Sequence, residues 1–394
     1  MAEAEQIRNI LKTKGIVAKL AGAVAFAAVL SFGLAGCADF RPKILEKYVY
    51  VTAKQTFLRD RVAAVSNRTG SVANGEKLVV LDHQRRFLKV RTPRGEVGWI
   101  EEKLTAGQDV ADRFEKLGKD HAKDPMVASA TARDEVYLHL TPGKETERFY
   151  RLAEGDTLSL LQRATIVKPV APGAAAVKPV AGAAADIPEI PMEDWWLVRD
   201  AKGDTGWIYS HMIDVSAPDA LARYAEGQRF VGAYVLGHAD DPESGILDNG
   251  TAVTSIPEYV TVLSPYKAGL AYDFDQVRVF TWNVKKHRYE TAFREHNVAG
   301  YLPVVIEDKA DPYGHAANSA EKLPSFTYRV LAGDQPLPLP DKVTGAITPG
   351  KTVAKTYRLE GNICRRIVAP GAQTPAEAHP DPVVEKKDKG KKRK

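Results

Sequence analysis

Cysteine is scarce: Cys37 and Cys364 are the only two in 394 residues. That excludes a disulfide-stapled scaffold and any zinc module built on paired thiols, because the ligands are missing. Serine-hydrolase chemistry lacks its marker, since no G-x-S-x-G elbow occurs. A cysteine peptidase needs a nucleophile with a downstream His, and only His379, in a Pro-rich tail, follows Cys364. For a metal, the best group is His238-Ala239-Asp240-Asp241, yet no His-x-x-x-His or Cys pair completes it, so it reads as a solvated turn. His287, Arg288 and Glu290 read as a surface charge group. No cofactor is called for.

Long apolar runs are equally rare. One uncharged stretch exists, Leu20 to Gly36, behind Arg8, Lys12, Lys14 and Lys19. A basic flank followed by a short apolar run is the build of a secretory signal. It ends Leu34-Ala35-Gly36-Cys37, which resembles the lipobox of bacterial lipoproteins. The resemblance implies cleavage before Cys37, a diacylglycerol on its thiol, a mature chain of 358 residues, and a body outside the cytoplasm held to a membrane by lipid. The alternative is an uncleaved transmembrane anchor at the short edge of a span.

The charge balance shifts once this leader is set aside. Lys and Arg number 55 against 50 Asp and Glu, a formal +5. Without residues 1–36 the count is 51 against 48, and without the last ten residues, EKKDKGKKRK, it is 44 against 46. A near-neutral body gives no reason to expect nucleic acid as a partner.

What the chain does have is an internal repeat. Phe87 to Ile100 (FLKVRTPRGEVGWI) matches Trp195 to Ile208 (WWLVRDAKGDTGWI) at an offset of 108, and Asn74 to Leu81 matches Glu154 to Leu161 at an offset of 80. The 28-residue difference is an insertion, visible as VKPVAPGAAAVKPVAGAAA at 167–185; Ala, Pro and Gly without aromatics predict a flexible loop over 167–191. Each copy reads as short strands separated by Gly-containing turns. The pattern Leu58-Arg59-Asp60, Gly75-Glu76 and Gly95-x-x-Gly98-Trp99-Ile100, repeated as Leu138-His139, Gly155-Asp156 and Gly203-x-x-Gly206-Trp207-Ile208, resembles the bacterial SH3-like domain. That resemblance implies two small β-barrels and binding to peptidoglycan or a wall-associated protein.

Gly95 and Gly203 are expected at positive φ, with Gly98 and Gly206 at close strand approaches and Trp99 and Trp207 plugging the barrels. Trp195 and Trp196 are consecutive, so strand alternation predicts that one of them is exposed as a binding platform. Candidate ligand contacts are Arg59, Trp195, Trp196 and Tyr209. Val110, Phe114 and Leu117 predict an amphipathic helix within Ala106–Asp124, and Pro218 with Gly227 brackets a second one; both read as spacers.

From 229 to 369 the chain turns β-branched and aromatic, and resembles C-terminal β-regions of other envelope proteins with SH3-like repeats. Val277 to Trp282 is apolar on both faces, and Asn283 to Glu295 reads as a turn with a return strand near Tyr289. The expected architecture is all-β: signal helix 1–36, tether 37–47, SH3-like domains 48–105 and 129–214, linkers 106–128 and 215–228, a β-sandwich or partial barrel 229–369, and a disordered basic tail 370–394. Its function is expected to be lipid-anchored envelope binding or scaffolding without catalysis; the alternative is a cell-wall hydrolase with a site in the C-terminal domain.

Overall fold

The computed structural model describes residues 47–63, 65–169, 190–248, 250–314 and 319–381. The leader, Cys37, most of the tether, the centre of the Ala/Pro insertion and the last thirteen residues therefore lie outside the described residues. The chain is all-β, in three seven-stranded antiparallel sheets and one two-stranded hairpin.

The first repeat holds β1 (Tyr48–Val51), β2 (Gln55–Arg59), β3 (Arg68–Ala73), β4 (Lys77–Gln84), β5 (Phe87–Arg91), β6 (Val97–Glu101) and β7 (Thr105–Gly107). The second holds β8 (Ala128–Ala132), β9 (Val136–His139), β10 (Arg148–Leu152), β11 (Thr157–Val167), β12 (Met192–Asp200), β13 (Thr205–Tyr209) and β14 (Ile213–Val215). Their strand orders, β3-β2-β6-β5-β4-β1-β7 and β10-β9-β13-β12-β11-β8-β14, are the same arrangement shifted by seven. Even the β-bulge recurs, at Val80/Asp82 in β4 and at Leu160/Gln162 in β11.

Shared glycines explain the shared shape. Gly95 and Gly203 turn at φ 87° and 93°, where a Cβ is strained. A Cβ on Gly98 would sit 2.7 Å from the Leu58 Cβ, and one on Gly206 would sit 2.7 Å from the Leu138 Cβ. These residues must therefore face inward, and alternation places the Trp beside each of them on the outer face. The barrel plug is Ile100 in the first repeat and Ile208 in the second, both fully buried. Trp99 and Trp207 are not core plugs, contrary to the sequence expectation.

Helix α1 (Gln108–Asp120) forms where the apolar spacing places it, but it is not a spacer. Its Phe114 is buried against Phe149 and Tyr150 of the second repeat, at ring separations of 5.6 and 5.5 Å. The one-turn α2 (Asp219–Ala222) likewise buries Leu221 among Ile256, Phe280, Trp282 and Tyr289. A helix contributes to a core once one stripe of it meets another apolar face.

The C-terminal sheet is a single meander, β15-β18-β19-β20-β21-β22-β23, so it is a curled sheet rather than a sandwich of two. Its strands are β15 (Arg229–Asp240), β18 (Ser255–Ser264), β19 (Phe274–Asn283), β20 (Arg288–Lys309), β21 (Leu323–Leu331), β22 (Thr352–Glu360) and β23 (Ile363–Arg366); the hairpin β16 (Leu247–Asp248) and β17 (Thr251–Ala252) interrupts the first connection. β19 is buried on both faces, and β20 starts one residue before Tyr289, as the sequence predicts.

The tail does not leave the body at 370. Gly333 donates to the Ala376 carbonyl at 2.8 Å, Ala378 donates to that of Leu331 at 2.9 Å, and Glu377 accepts from Lys355 at 2.8 Å. Lys355, with 4% of its side chain exposed, needs the carboxylates of Glu377 and Glu295 because a lone buried ammonium is costly. Asp241 also departs from expectation. It is 1% exposed and accepts from Trp282 Nε1, with His287 Nδ1 also at 2.7 Å, so it belongs to the core network rather than to a solvated turn.

The second repeat is welded to the C-terminal sheet. Arg163 donates to Asp273 at 2.9 Å and to the carbonyls of Leu270 and Tyr272, also at 2.9 Å, and lies 3.5 Å from Asp194. Asp194, fully buried, also accepts from Thr165 at 2.7 Å and from the Gly269 amide at 3.1 Å.

Candidate functional site

The register of the first repeat lines up one row across five strands: Arg68 in β3, Arg59 in β2, Trp99 in β6, Lys89 in β5 and Asp82 in β4. Leu58, Ile100, Leu88 and Val90 point into the core, so Arg59, Trp99 and Lys89 point out. Strand spacing makes the run from Arg68 to Lys89 about 14 Å long. A cleft of about 280 Å³ opens over this row, lined by Thr56, Phe57, Arg59, Ser66, Arg68, Trp99, Glu101 and Leu104.

Its side chains are held by short-range contacts. The Arg68 guanidinium lies 3.9 Å from the Phe57 ring centroid, a cation–π stack. Arg59 donates to Ser66 Oγ at 3.3 Å. Glu101 pairs with Lys103 at 2.7 Å, and that hydrogen bond, with weaker pulls from Arg86 and Arg59, holds its carboxyl below the usual range. Trp99 is half-buried and lines the cleft beside two guanidinium groups. The arrangement can stack a ring and hold acidic groups; it contains no nucleophile paired with a base.

The second repeat writes the same row as Arg148, His139, Trp207, Leu197 and Gln162. Arg148 again covers an aromatic, Tyr137, at 5.0 Å. Here the outer face is closed. Trp195, Leu197 and Trp207 pack with Leu161, Ala164 and the helix residue Leu117, leaving Trp195 1% and Trp207 7% exposed.

Trp196 points the other way, into the core, and is 6% exposed, so neither of the consecutive tryptophans is a surface platform. Alternation does send the two rings to opposite faces, but the outer face is closed by Leu161, Ala164 and Leu117. Tyr209 is half-buried beside Trp195 at 5.6 Å, with the Lys144 ammonium 4.6 Å from its ring centroid. His139 packs its ring edge-on to Trp195 at 5.2 Å; burial, then Arg148, lowers its pKa.

Of the four candidate contacts, only Arg59 lines the cleft of the first repeat; Trp196 reaches instead the edge of a cleft at the junction with the C-terminal sheet. The sequence reading missed Trp99, Arg68 and Phe57 as its neighbours. Their signal was present: Phe57 and Trp99 each stand next to a core residue, Leu58 and Ile100, which puts them on the outer face with Arg59, while Arg68 pairs with Arg59 from β3.

Two further clefts lie elsewhere. A cleft of about 200 Å³ at the junction with the C-terminal sheet is lined by Arg133, Arg163, Arg229, Trp196 and Tyr266, with Asp214 and Asp273 balancing its cations. Another of about 790 Å³ between Ile190, Met192, Tyr266 and Leu337 borders the undescribed part of the insertion. Among the described residues, no cluster of three His, Cys, Asp or Glu side chains could hold a metal ion. Burial pushes the Cys364 thiol up to about 12, which keeps it protonated.

No protein-family model and no curated protein matches the sequence. Among solved structures the chain is similar to NlpC2 from Trichomonas vaginalis, at 9% identity and a TM-score of 0.14, covering 46% of this chain and about half (54%) of the length of that one. It is similar to an NlpC/P60 family protein from Bacillus cereus ATCC 10987 at 10% identity and TM-score 0.20, over 62% of this chain and 98% of that one. NlpC1 from Trichomonas vaginalis follows at 8% identity and TM-score 0.15, over 65% and 92%. At these TM-scores the likenesses carry no argument about this chain's site.

Proposed function

We propose that this protein is a lipid-anchored binding or scaffolding component of the bacterial cell envelope, whose SH3-like repeats have divided their work. The first repeat presents the Arg59–Trp99 cleft to peptidoglycan or a wall-associated protein. The second keeps the fold but gives its outer face to internal packing, and serves as the structural bridge to the C-terminal sheet. The observation that carries this reading is the contrast between one row of residues left open in the first repeat and its counterpart sealed in the second.

The test uses the body without its lipidated cysteine, residues 38–394, with purified peptidoglycan. Co-sedimentation without release of soluble fragments supports binding without catalysis. Release of fragments overturns it in favour of a hydrolase, and failure to sediment, with a protein partner recovered by crosslinking, overturns wall contact in favour of an assembly subunit. The anchor is tested separately: palmitate labelling of the full chain in a bacterial host is expected, and is expected to vanish in Cys37→Ala.

A further inference from the structure

The near-neutral body conceals a charge division. Residues 48–105 carry eleven Lys and Arg against six Asp and Glu, whereas residues 129–214 carry nine against thirteen. In the first repeat the acids are largely engaged: Glu101 with Lys103, Glu76 and Glu96 with Arg94, Asp60 with Arg61, and Glu102 with His83. Arg59, Arg68 and Lys89 are in no carboxylate ion pair among the described residues. They are the cations of the Trp99 row.

Accepting the wall-binding reading above, on which this rests, we infer that the group gripped by the first repeat is an acid-bearing glycan or polyol, with anionic groups on either side of a ring or chain laid on Trp99. Arg68 and Arg59 stand on neighbouring strands, Trp99 follows on the next, and Lys89 on the one after. Guanidinium groups take phosphate or carboxylate oxygens in pairs, and a fork already stacked on Phe57 loses little freedom in doing so. A neutral sugar strand needs the aromatic surface but leaves three cations without partners. A bilayer surface favours protruding apolar side chains, whereas Trp99 is half-buried and lines its cleft together with Arg59 and Arg68. The equivalent second-repeat positions, His139 and Leu197, offer neither the charge nor the opening.

The experiment compares residues 38–394 on three probes: cell wall retaining its phosphodiester-linked polymers, the same wall stripped of them by hydrofluoric acid, and vesicles containing phosphatidylglycerol. Binding to stripped wall is expected to be at least about tenfold weaker, and raising ionic strength from about 0.05 M to about 0.3 M is expected to weaken binding to untreated wall by a similar factor. Arg68→Gln and Lys89→Gln are each expected to cost roughly three- to tenfold in affinity, with unchanged thermal unfolding because both side chains lie outside the core. Equal, salt-insensitive binding to both walls overturns this inference and leaves wall binding standing. Binding to neither wall overturns wall binding itself. Vesicle binding as tight as wall binding, and equally dependent on Arg68 and Lys89, replaces the glycan with a lipid surface and also overturns it.

Discussion

Trp99 and Trp207 stand at the same place in two copies of one sheet, each next to a glycine that abuts the neighbouring strand. One remains half-exposed over a cleft and the other is 7% exposed within an aromatic cluster. Strand alternation sent both to the outer face; what differs is what was laid over them. In the second repeat the β11–β12 hairpin runs on past the point where its first-repeat counterpart turns, and Leu161, Ala164 and Leu117 close over the face. The C-terminal loop then seals the far edge, where Thr165 donates to the Gly345 carbonyl at 2.7 Å. Two matching rows thus meet different surroundings: the extended hairpin and α1 cover one, and the other stays beside a cleft.

The largest effect that can test this is truncation of the paired tryptophans. Trp207→Ala removes a buried aromatic and is expected to cost about 3–5 kcal/mol in urea unfolding, whereas Trp99→Ala is expected to cost under about 1 kcal/mol while abolishing wall sedimentation. Comparable destabilisation at both sites contradicts the division of labour.

Close behind comes the residue pair Arg163 and His83, which occupy matching positions after the two β-bulges. Arg163→Ala removes the buried guanidinium that joins Asp273 and Asp194 across the two sheets, leaving Asp194 only Arg229, Thr165 and the Gly269 amide, and is expected to lose about 3–5 kcal/mol. His83 is 54% exposed, and its replacement by Ala is expected to stay within about 0.5 kcal/mol. A small effect of Arg163→Ala on thermal unfolding sinks the claim that the second repeat is the bridge.

The bulge residues sharpen the comparison at smaller scale. Leu161 is 6% exposed and Leu81 44%. Leu161→Ala is expected to cost about 2–4 kcal/mol and Leu81→Ala almost nothing, read as the difference in urea midpoint at constant slope.

Much of this architecture was legible because it is local. The repeated Gly-x-x-Gly-Trp runs, the turn glycines and the two-sided apolar strand Phe274–Asn283 record constraints set by neighbouring residues. The fate of an outer face is not local. Whether Trp195 meets water depends on Leu117, 78 positions earlier, and the segment 376–380 is held by Leu331 and Lys355 rather than by its own composition. The buried charges were the missed signal: Arg163 inside LSLLQRATIV and Asp194 beside Trp195-Trp196 are ionic groups in apolar strands, which fold only with mutual partners. On the outer face of the first repeat, the repeat pattern picks out Arg59, which lines the cleft. Trp99 was misassigned because a tryptophan in a short strand invites a core reading until the adjacent glycine is seen to need the inside.

The smallest expected effect separates the two rows by pH. His139 stands where the first repeat has Arg59, and burial, followed by the charge of Arg148, lowers its pKa. The unfolded chain, titrating near pH 6.5, then takes up a proton before the native state does. Stability from this group is complete above that value, is lost as pH falls through it, and levels off once the native imidazole also protonates. Asp204, Glu258 and Asp275, whose pKa values burial raises, act in the opposite sense, so the wild-type slope alone is a mixture. The informative quantity is the difference between wild type and His139→Gln in urea unfolding at about pH 7.5 and about pH 5.5. The variant is expected to lose less stability on acidification than the wild type, while Arg59→Gln leaves the wild-type slope unchanged because a guanidinium does not titrate there. Identical slopes for wild type and His139→Gln mean that the second row is as open to water as the first.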